Sequence, residues 1–454
     1  MLHSHKNQKN LAQQNYQQMI TRKEDLFSSL RRSKNEGNQS RMGAGDKFEE
    51  SVVTNWYRAR RYVIGYLDKQ GILDREGCLC RSLSPLSITI EGTSALLLSV
   101  VRQIALIAHY PDFNEDSGRK RTMITILFDR NEYDEDGIIA EVFKEEYLSN
   151  LKLLCPYRIS YMDKEETGKV FNPDSFIDLE IELIGYDGHD FSQYPSDDAT
   201  IRIREEDVNR FFDEGMNEME VSKAMRTNMV YHVGADLDNL PSDDPNTAER
   251  YSHALFYLCY QQHLRNTLAQ WDDLLGSLDD QDPIYQVNLR NKISNVFCSD
   301  CFKSRLMCVL DRKEWGFESL PSDTPIIQKM IMERETDVLN LVKKHLKALS
   351  KCEHARWTVE KLLMGFRPLN GEEKLHDAFI FGAERRAYRK KLKQNGIHID
   401  LCSYRDLRRM NPGNMKYDCF LMMAMPRILK EFYQNNQILS LIHISEPTRP
   451  RLIS

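Results

Sequence analysis

The chain has 454 residues, a formal net charge of −6, and 41% hydrophobic against 29% charged residues, which is typical of a globular protein with two or three domains. No apolar run in the sequence reaches the roughly 20 residues that a transmembrane helix needs. The N-terminus has neither the apolar stretch nor the cleavage site of a signal peptide. We therefore expect a cytoplasmic protein.

The charge is unevenly distributed along the chain. Residues 352–437 carry 16 Lys and Arg against 10 Asp and Glu, a net charge of +6, so the remainder carries −12. A basic C-terminal part beside an acidic body predicts an anionic ligand, or docking between the two parts. For the basic run 385–391, a solvated helix explains the charge equally well.

In chain order, the first predicted element is a mobile arm, because residues 1–50 are polar and low in apolar side chains. An amphipathic helix follows from Val52 and stops at Gly71. These two elements precede the part of the chain with the strongest α/β pattern.

That pattern begins with a short β-branched strand, 87–91, which ends at Gly92. Thr93 or Ser94 can cap the apolar helix predicted over 95–110. Since a second buried strand follows this helix, the segment reads as a β-α-β unit. Such units close almost always into a right-handed crossover within a parallel sheet.

The second strand runs over 122–128 and ends at Asp129. A helix over 137–153 and strands over 177–184 and 229–234 are predicted next, and the pattern is helical from Thr247 onward. We therefore predict an α/β fold: a Rossmann-like parallel-sheet domain, a helical linker and a small, mostly helical domain. The predicted boundaries are 51–246, 247–350 and 351–437.

The turn after the first strand lies where a dinucleotide-binding fold holds a phosphate, and Asp129 ends the next strand, where an acidic residue meets the ribose. We predict Gly92, Thr93, Ser94 and Asp129 as the cofactor-binding residues, with NAD or another adenine nucleotide as the candidate ligand. However, the glycine fingerprint is missing, and Asp129 lies 37 residues after Gly92 rather than about 20. A degenerate scaffold without a nucleotide is the alternative.

Two blocks mark the C-terminal domain. The first contains Glu-His-Ala-Arg-Trp at 353–357 and Gly-Phe-Arg at 365–367, where Gly365 is predicted to end the helix as a left-handed cap. The second is His-Ile-Asp-Leu-Cys-Ser-Tyr-Arg-Asp-Leu at 398–407. In this order they resemble the ryanodine-receptor-type (RyR) domain, a helical binding module, over residues 352–430. The sequence departs from the family pattern at Pro368 and Leu369, just after the helix end. Bacterial proteins of this kind often carry a potassium-transport-regulator-like nucleotide-binding domain, so the resemblance implies a regulatory role.

For this domain we predict a pocket in which aromatic side chains stack on an anionic small molecule or nucleotide and basic side chains donate to it. The predicted ligand-binding residues are His354, Arg356, Trp357, Phe366, Arg367 and Tyr404. The alternative is structural: Trp357 fills the space between helices, His354 or the Trp357 indole hydrogen-bonds the second block, and Arg356 is held in ion pairs.

No catalytic residue and no metal site is predicted. Cys298, Cys301 and Cys308 have ligand-like spacing but lack a fourth ligand, so we interpret them as buried structural residues. The His and Asp residues around 187–190 and 232–238 end predicted strands, where metals are often bound, but they are also typical of turns.

Three hypotheses follow for the function. The first is a non-enzymatic sensor that couples a nucleotide site to the RyR-type module, with a membrane transport protein as a candidate partner. The second is an enzyme acting on a nucleotide or its glycosidic bond, with Asp129, His189, His232 or Asp236 as acid–base groups. The third is an interaction protein that uses the basic helix 385–393. Nucleic acid is not expected as the partner, because the chain is acidic overall and the basic helix has few aromatic residues. An oligomeric protein is compatible with all three hypotheses.

The end of the chain has a different character. Residues 439–449, LSLIHISEPTR, resemble a translated sequencing adapter and show no helical period. We expect residues 438–454 to be a non-native tail.

Overall fold

The computed structural model describes residues 55–213, 297–316 and 326–430, with short gaps. The gaps are 56–57, 61, 69–70, 80–82, 115–119, 145–147, 163–168, 171–175, 195–199, 299, 416, 420, 424 and 427–428. The predicted arm, the strand over 229–234, the first part of the helical linker and the tail lie outside these residues, as do His232, Asp236 and Asp238.

A six-stranded sheet forms the centre of the first described stretch. Its strands are β1 (Ser87–Glu91), β2 (Thr122–Asp129), β3 (Tyr157–Tyr161), β4 (Lys169–Val170), β5 (Leu179–Tyr186) and β6 (Ile201–Arg204). Their order is β4-β3-β5-β2-β1-β6; five strands are parallel, and only the short edge strand β4 is antiparallel. The predicted parallel α/β sheet is therefore confirmed, and β1 has the predicted bounds.

The strand order differs from the 3-2-1-4-5-6 order of the dinucleotide-binding fold. Here β5, which follows β3 and β4 in the chain, lies between β3 and β2 in the sheet. Consequently β2 lies between β1 and β5, and the carboxyl ends of these three strands meet at one edge of the sheet. Polar residues that follow each of them are thereby brought to the same place.

Three helices follow strands in this part: α1 (Ala95–Ile107), α2 (Glu135–Val142) and α3 (Glu205–Asp213). Their buried apolar residues share one core cluster with alternate residues of the strands, for example Ile88, Ile124 and Ile181. The residues that point the other way, such as Leu127 and Tyr186, belong to a separate small cluster. Among the described residues, the helices therefore cover one face of the sheet, whereas the doubly wound arrangement typical of this fold class covers both.

The second half of the described chain is helical. It contains α4 (Phe302–Val309), α5 (Ile326–Leu363), α6 (Gly371–Phe379), α7 (Gly382–Gln394) and α8 (Tyr404–Met410). Helix α5 is kinked at Arg334, where φ is −138° and ψ is 40°, and from there it continues without a break into the first RyR-type block. It ends just before Gly365, whose φ of +86° is the predicted left-handed conformation.

The C-terminal end of α5 packs against the α/β part of the protein. Val359 and Leu362 are fully buried in the same cluster as the sheet residues, together with Phe366 from the turn after the helix. The Asn150 side chain donates to the Phe366 carbonyl at 3.1 Å. The first RyR-type block is therefore part of the main hydrophobic core rather than a separately packed unit.

No helix within the described stretches has the length and apolar character needed to cross a bilayer.

Helices α6 and α7 form an antiparallel hairpin joined through one buried carboxylate. Asp377 on α6 accepts hydrogen bonds from Arg385 Nη2 at 2.7 Å and from Arg389 Nε at 2.7 Å on α7. Burial opposes ionisation, but these hydrogen bonds lower the pKa of Asp377 from 3.8 to about 2. The hairpin is therefore stabilised by the ionised form of Asp377.

This linkage predicts a pH-dependent contribution to stability. Because the folded-state pKa is depressed, the stabilisation by Asp377 is present above about pH 4 and is lost as the pH falls toward 2. We expect the Asp377→Asn variant to be less stable than the wild type at pH 6, and the difference in thermal midpoint to shrink as the pH is lowered through this window. Glu372→Gln, which alters an exposed carboxylate of the same helix, is the control. A difference that stays constant with pH would contradict the assignment.

Candidate functional site

The first group of predicted residues lies at the carboxyl edge of the sheet. The backbone N–H of Gly92 donates to the Leu127 carbonyl of the neighbouring strand at 3.0 Å, two residues before Asp129. Gly92 has a φ of +120°, and a Cβ atom there would lie 3.2 Å from Leu97 Cδ1. A glycine is therefore required at this turn, and the turn lies beside the end of β2 that carries Asp129.

Helix α1 starts directly at this turn. Ser94 is its N-cap, and its hydroxyl accepts a hydrogen bond from the Leu97 N–H at 3.3 Å. Thr93, the alternative cap, lies half-buried in the preceding turn. The first amides of a helix lack intrahelical partners and carry partial positive charge. The predicted phosphate-binding residues thus stand at the positive end of α1.

Asp129 is largely buried, with 7% of its surface exposed. Its Oδ1 accepts from the backbone N–H of Asn131 at 2.9 Å and from that of Gly188 at 2.9 Å. The bond from Asn131, followed by that from Gly188, lowers the pKa of Asp129. The carboxylate is therefore ionised at neutral pH, and one of its oxygens holds the loop that follows β5.

The second oxygen of Asp129 faces a histidine. His189 Nε2 lies 3.7 Å from Asp129 Oδ2 and 3.5 Å from Glu132 Oε1, and the His189 side chain is 71% exposed. Sequence reasoning placed His189 at a strand end and among the acid–base groups of the enzyme hypothesis, but not among the predicted cofactor-binding residues. The information missing from the sequence was the pairing of β2 with β5, which brings residues 129 and 189 together.

Sequence reasoning also missed an ion-pair group at the end of β1. Glu91 pairs with Arg202 and Arg204 of β6, the latter through Nε at 2.7 Å. Arg202 further donates to the Phe191 carbonyl at 2.8 Å, which fixes the loop after β5 over the edge of the sheet. Two guanidinium groups therefore lie one strand away from the turn at Gly92.

The second group of predicted residues forms an aromatic cluster that joins the two RyR-type blocks. The ring of Trp357 stacks on His354 at 6.0 Å and contacts His398 edge-on at 4.9 Å. His354 also contacts Tyr404, with ring centroids 5.6 Å apart, and its Nε2 hydrogen-bonds the Cys402 carbonyl at 2.9 Å. Trp357 thus packs between the two blocks and His354 hydrogen-bonds the second one, as the structural alternative to a ligand pocket predicts.

His354 belongs to a buried charged pair. Its Nδ1 lies 3.6 Å from Asp418 Oδ2. Burial alone would lower the pKa of His354, but Asp418 and the Cys402 carbonyl raise it above its ordinary value. Burial also raises the pKa of Asp418 to about 6, although His354 opposes this. His354 on α5 is thus tied both to the second block, through Cys402, and to the segment that follows it, through Asp418.

Arg356 lies in a buried ionic network rather than beside an open pocket. Its guanidinium donates to Glu353 through Nε at 3.0 Å and to Glu360 through Nη1 at 2.7 Å, and 1% of the residue is exposed. Glu353 also accepts from Arg305 of α4, a residue with no exposed surface. Although burial would raise it, Arg356 and Arg305 together lower the pKa of Glu353.

The remaining predicted ligand residues lie at the turn after α5. Phe366 is buried in the main core, with its ring 5.9 Å from that of His398. Arg367 is partly exposed and makes a two-pronged ion pair with Glu373, at 2.7 and 2.8 Å. The turn is fixed by backbone pairing of Arg367 with Ile397. Arg356 and Arg367 therefore do not meet in one pocket, and a ligand-binding role for this group stays a prediction.

Two of these residues, His354 and Tyr404, line a cleft between the α/β part and the helical part. The cleft has a volume of only about 40 Å³, room for a few water molecules, and it is partly open to solvent. Its other walls include Tyr110, Phe113, Phe176 and Lys351. The lining combines aromatic side chains with both Lys351 and the Asp178 carboxylate, so its charge does not favour an anion.

The three cysteines with ligand-like spacing are buried, as interpreted from the sequence. Cys298, Cys301 and Cys308 are each almost fully buried, and burial raises the pKa of all three thiols. The residues that the structure describes contain no group of three or more metal-ligating side chains.

The buried network predicts a large cost for removing its central charge. Glu353→Gln leaves the Arg305 and Arg356 guanidinium groups without their shared carboxylate in the interior. We expect a loss of about 3–5 kcal/mol in the free energy of unfolding, measured by denaturant titration. Glu333→Gln, at an exposed position of the same helix, is the matched control and should change stability by less than about 0.5 kcal/mol. Equal effects of the two variants would contradict a central role for Glu353.

The chain was compared with protein-family models, with curated proteins and with solved structures, and none of them matches it. The resemblance to the RyR domain therefore stays a prediction, and the function is inferred from the geometry of the chain itself.

Proposed function

We propose that this protein is a nucleotide-binding regulatory protein, in which a Rossmann-like α/β domain holds the ligand at the carboxyl edge of its sheet. The helical part, with its RyR-type segment, responds to that ligand. NAD and other adenine nucleotides are the ligands that this site suits best.

The observation that carries the proposal is the adjacency of Gly92 and Asp129. The glycine turn opens onto the N-terminus of α1, which favours a phosphate group. Asp129 Oδ2, one strand away, is an acceptor of the kind that binds ribose hydroxyls. Arg202 and Arg204 add positive charge on the other side of β1. One nucleotide could therefore place its phosphate at the end of β1 and its ribose at the neighbouring end of β2.

Helix α1 supports the regulatory part of the proposal. It starts at the site and, after 13 residues, ends where the helical part packs against it. There the Cys352 thiol of α5 donates to the His109 carbonyl at 2.8 Å, and the Cys301 thiol contacts the Ile107 carbonyl at 3.8 Å. A ligand that shifts the start of α1 would therefore act directly on α5, the helix that carries the first RyR-type block.

The RyR-type segment would then be the output or a second binding site. The cleft lined by His354, Tyr404 and Lys351 lies at the same junction, close to the end of α1. Such an arrangement suits a regulator of ion transport or nucleotide signalling, the role that the resemblance implies.

The Asp129→Asn variant tests the nucleotide site. Its Oδ1 still accepts from Asn131 and Gly188, so the loop is retained, but the second oxygen is replaced by an NH₂ donor. We expect affinity for NAD, ATP or ADP-ribose, measured by calorimetry, to fall about tenfold or more, because a hydrogen bond to a charged group contributes roughly 1.5–3 kcal/mol.

Asp136→Asn, an exposed carboxylate in the first turn of α2, serves as the control and should leave affinity unchanged. Folding of each variant is verified by circular dichroism. A folded wild-type protein that produces no binding heat with any of the three nucleotides would refute the proposal.

A second candidate function is an enzyme that acts on the nucleotide or its glycosidic bond. It is favoured by the position of His189, an exposed imidazole between the carboxylates of Asp129 and Glu132. A histidine close to a carboxylate in an open site can transfer protons to or from a bound substrate. In this function Asp129 orients the imidazole, and His189 is the acid–base group.

The His189→Ala variant separates the two functions. If the protein is an enzyme, incubation with NAD, ATP or ADP-ribose gives products detectable by chromatography, and the variant loses turnover by at least about 100-fold while retaining nucleotide affinity. If the protein is a regulator, the wild type binds nucleotide without turnover and His189→Ala leaves binding nearly unchanged.

A further inference from the structure

The end of α6 exposes three large apolar side chains within seven residues. Leu375 is 61% exposed, and Phe379 and Phe381 are each 72% exposed. Ile380, between the two phenylalanines, is buried and anchors the turn, with 8% of its surface exposed. The two aromatic rings therefore project from the tip of the α6–α7 hairpin rather than lining a groove. We call Leu375, Phe379 and Phe381 the apolar tip.

The helix that follows the apolar tip is strongly basic. Arg385 and Arg389 are turned inward to Asp377. Arg386, Lys390 and Lys391 are exposed and have no ion-pair partner among the described residues. Because α7 has 13 residues, these charges lie within about 20 Å of the tip.

Contacts between α6 and α7 fix the shape of the hairpin, so that the apolar tip and the exposed cations keep their relative positions. The inner face of α7 is held to α6 by the Asp377 ion pairs and by the edge-on contact of His376 with Tyr388, whose ring centroids are 4.6 Å apart. Arg385 and Arg389 are therefore paired with Asp377. The exposed Arg386, Lys390 and Lys391 can bind a partner of opposite charge.

Projecting aromatic side chains next to unpaired cations match one surface particularly well. A lipid interface accepts aromatic rings at the level of its headgroups, and an anionic leaflet attracts nearby Lys and Arg. A peptide ligand is commonly held in a groove or along a sheet edge, and the projecting side chains of the apolar tip supply neither. We propose that the α6–α7 hairpin docks this protein on an anionic membrane surface, with the apolar tip inserted and the outer face of α7 against the lipid headgroups.

This surface is separate from the nucleotide site, so the two proposals stand or fall independently. The test uses the full chain and two kinds of vesicles, phosphatidylcholine alone and phosphatidylcholine mixed with phosphatidylglycerol. We expect co-sedimentation with the anionic vesicles only, and a decrease in binding as salt is added.

Variants divide the interaction into its two parts. Phe379→Ala with Phe381→Ala should weaken vesicle binding about tenfold or more, through lost apolar burial. Arg386→Gln, Lys390→Gln and Lys391→Gln should each weaken it about fivefold. A Phe381→Trp variant should show a blue-shifted emission when anionic vesicles are added, because the indole leaves water.

Two controls change similar side chains elsewhere on the surface. Met162→Ala removes an apolar side chain that is 51% exposed, and Lys313→Gln removes an exposed cation, and neither should alter binding. Equal binding by the double phenylalanine variant, or no binding of the folded wild type to anionic vesicles, would overturn the proposal. Retention instead by a polyglutamate peptide or by single-stranded nucleic acid, without vesicle binding, would assign the surface to that partner and also overturn it.

Discussion

The buried Glu353 carboxylate is the interaction that holds α5 to α4, and the packing of the helical half depends on it. It lies fully buried between Arg305 of α4 and Arg356 of α5, and none of the three side chains has more than 1% of its surface exposed. Two cations and one anion in a dry interior are tolerated only when their geometry is kept, since an unpaired buried charge is very costly. Glu360 supplies the second carboxylate that balances Arg356. The position of α5 on the core is therefore fixed by charge as well as by apolar contact.

From this constraint follows the relation between the two parts of the molecule. With α5 held in place, its last turns complete the core of the sheet, and its middle contacts the end of α1 through Cys352. Helix α1 in turn begins at the glycine turn of the carboxyl edge. One pair of packed helices, α1 and α5, thus connects the carboxyl edge of the sheet to residues 353–367.

The features that were predicted correctly depend on local sequence. Strand β1, the cap at Ser94 and the left-handed glycine at 365 follow from residue type and short-range spacing. Strands β3 and β6 were missed, because β3 (YRISY) and β6 (IRIR) alternate with polar and charged residues at the margins of the sheet and lack the continuous apolar run of a central strand. The exposed tip of the α6–α7 hairpin was missed for a related reason, since an isolated phenylalanine in a sequence is usually a core residue.

The sequence by itself determined which residues end the strands and start α1, because backbone preferences and hydrophobic periodicity act over a few positions. It therefore placed Gly92, Ser94 and Asp129 at strand and helix ends. Only the tertiary structure decided which of these ends meet: the pairing of β2 with β5 brings His189 to Asp129 across 60 positions of sequence. It also decided that Arg356 is shared between Glu353 and Glu360 in the interior, since the burial of a charge depends on what packs around it from distant parts of the chain.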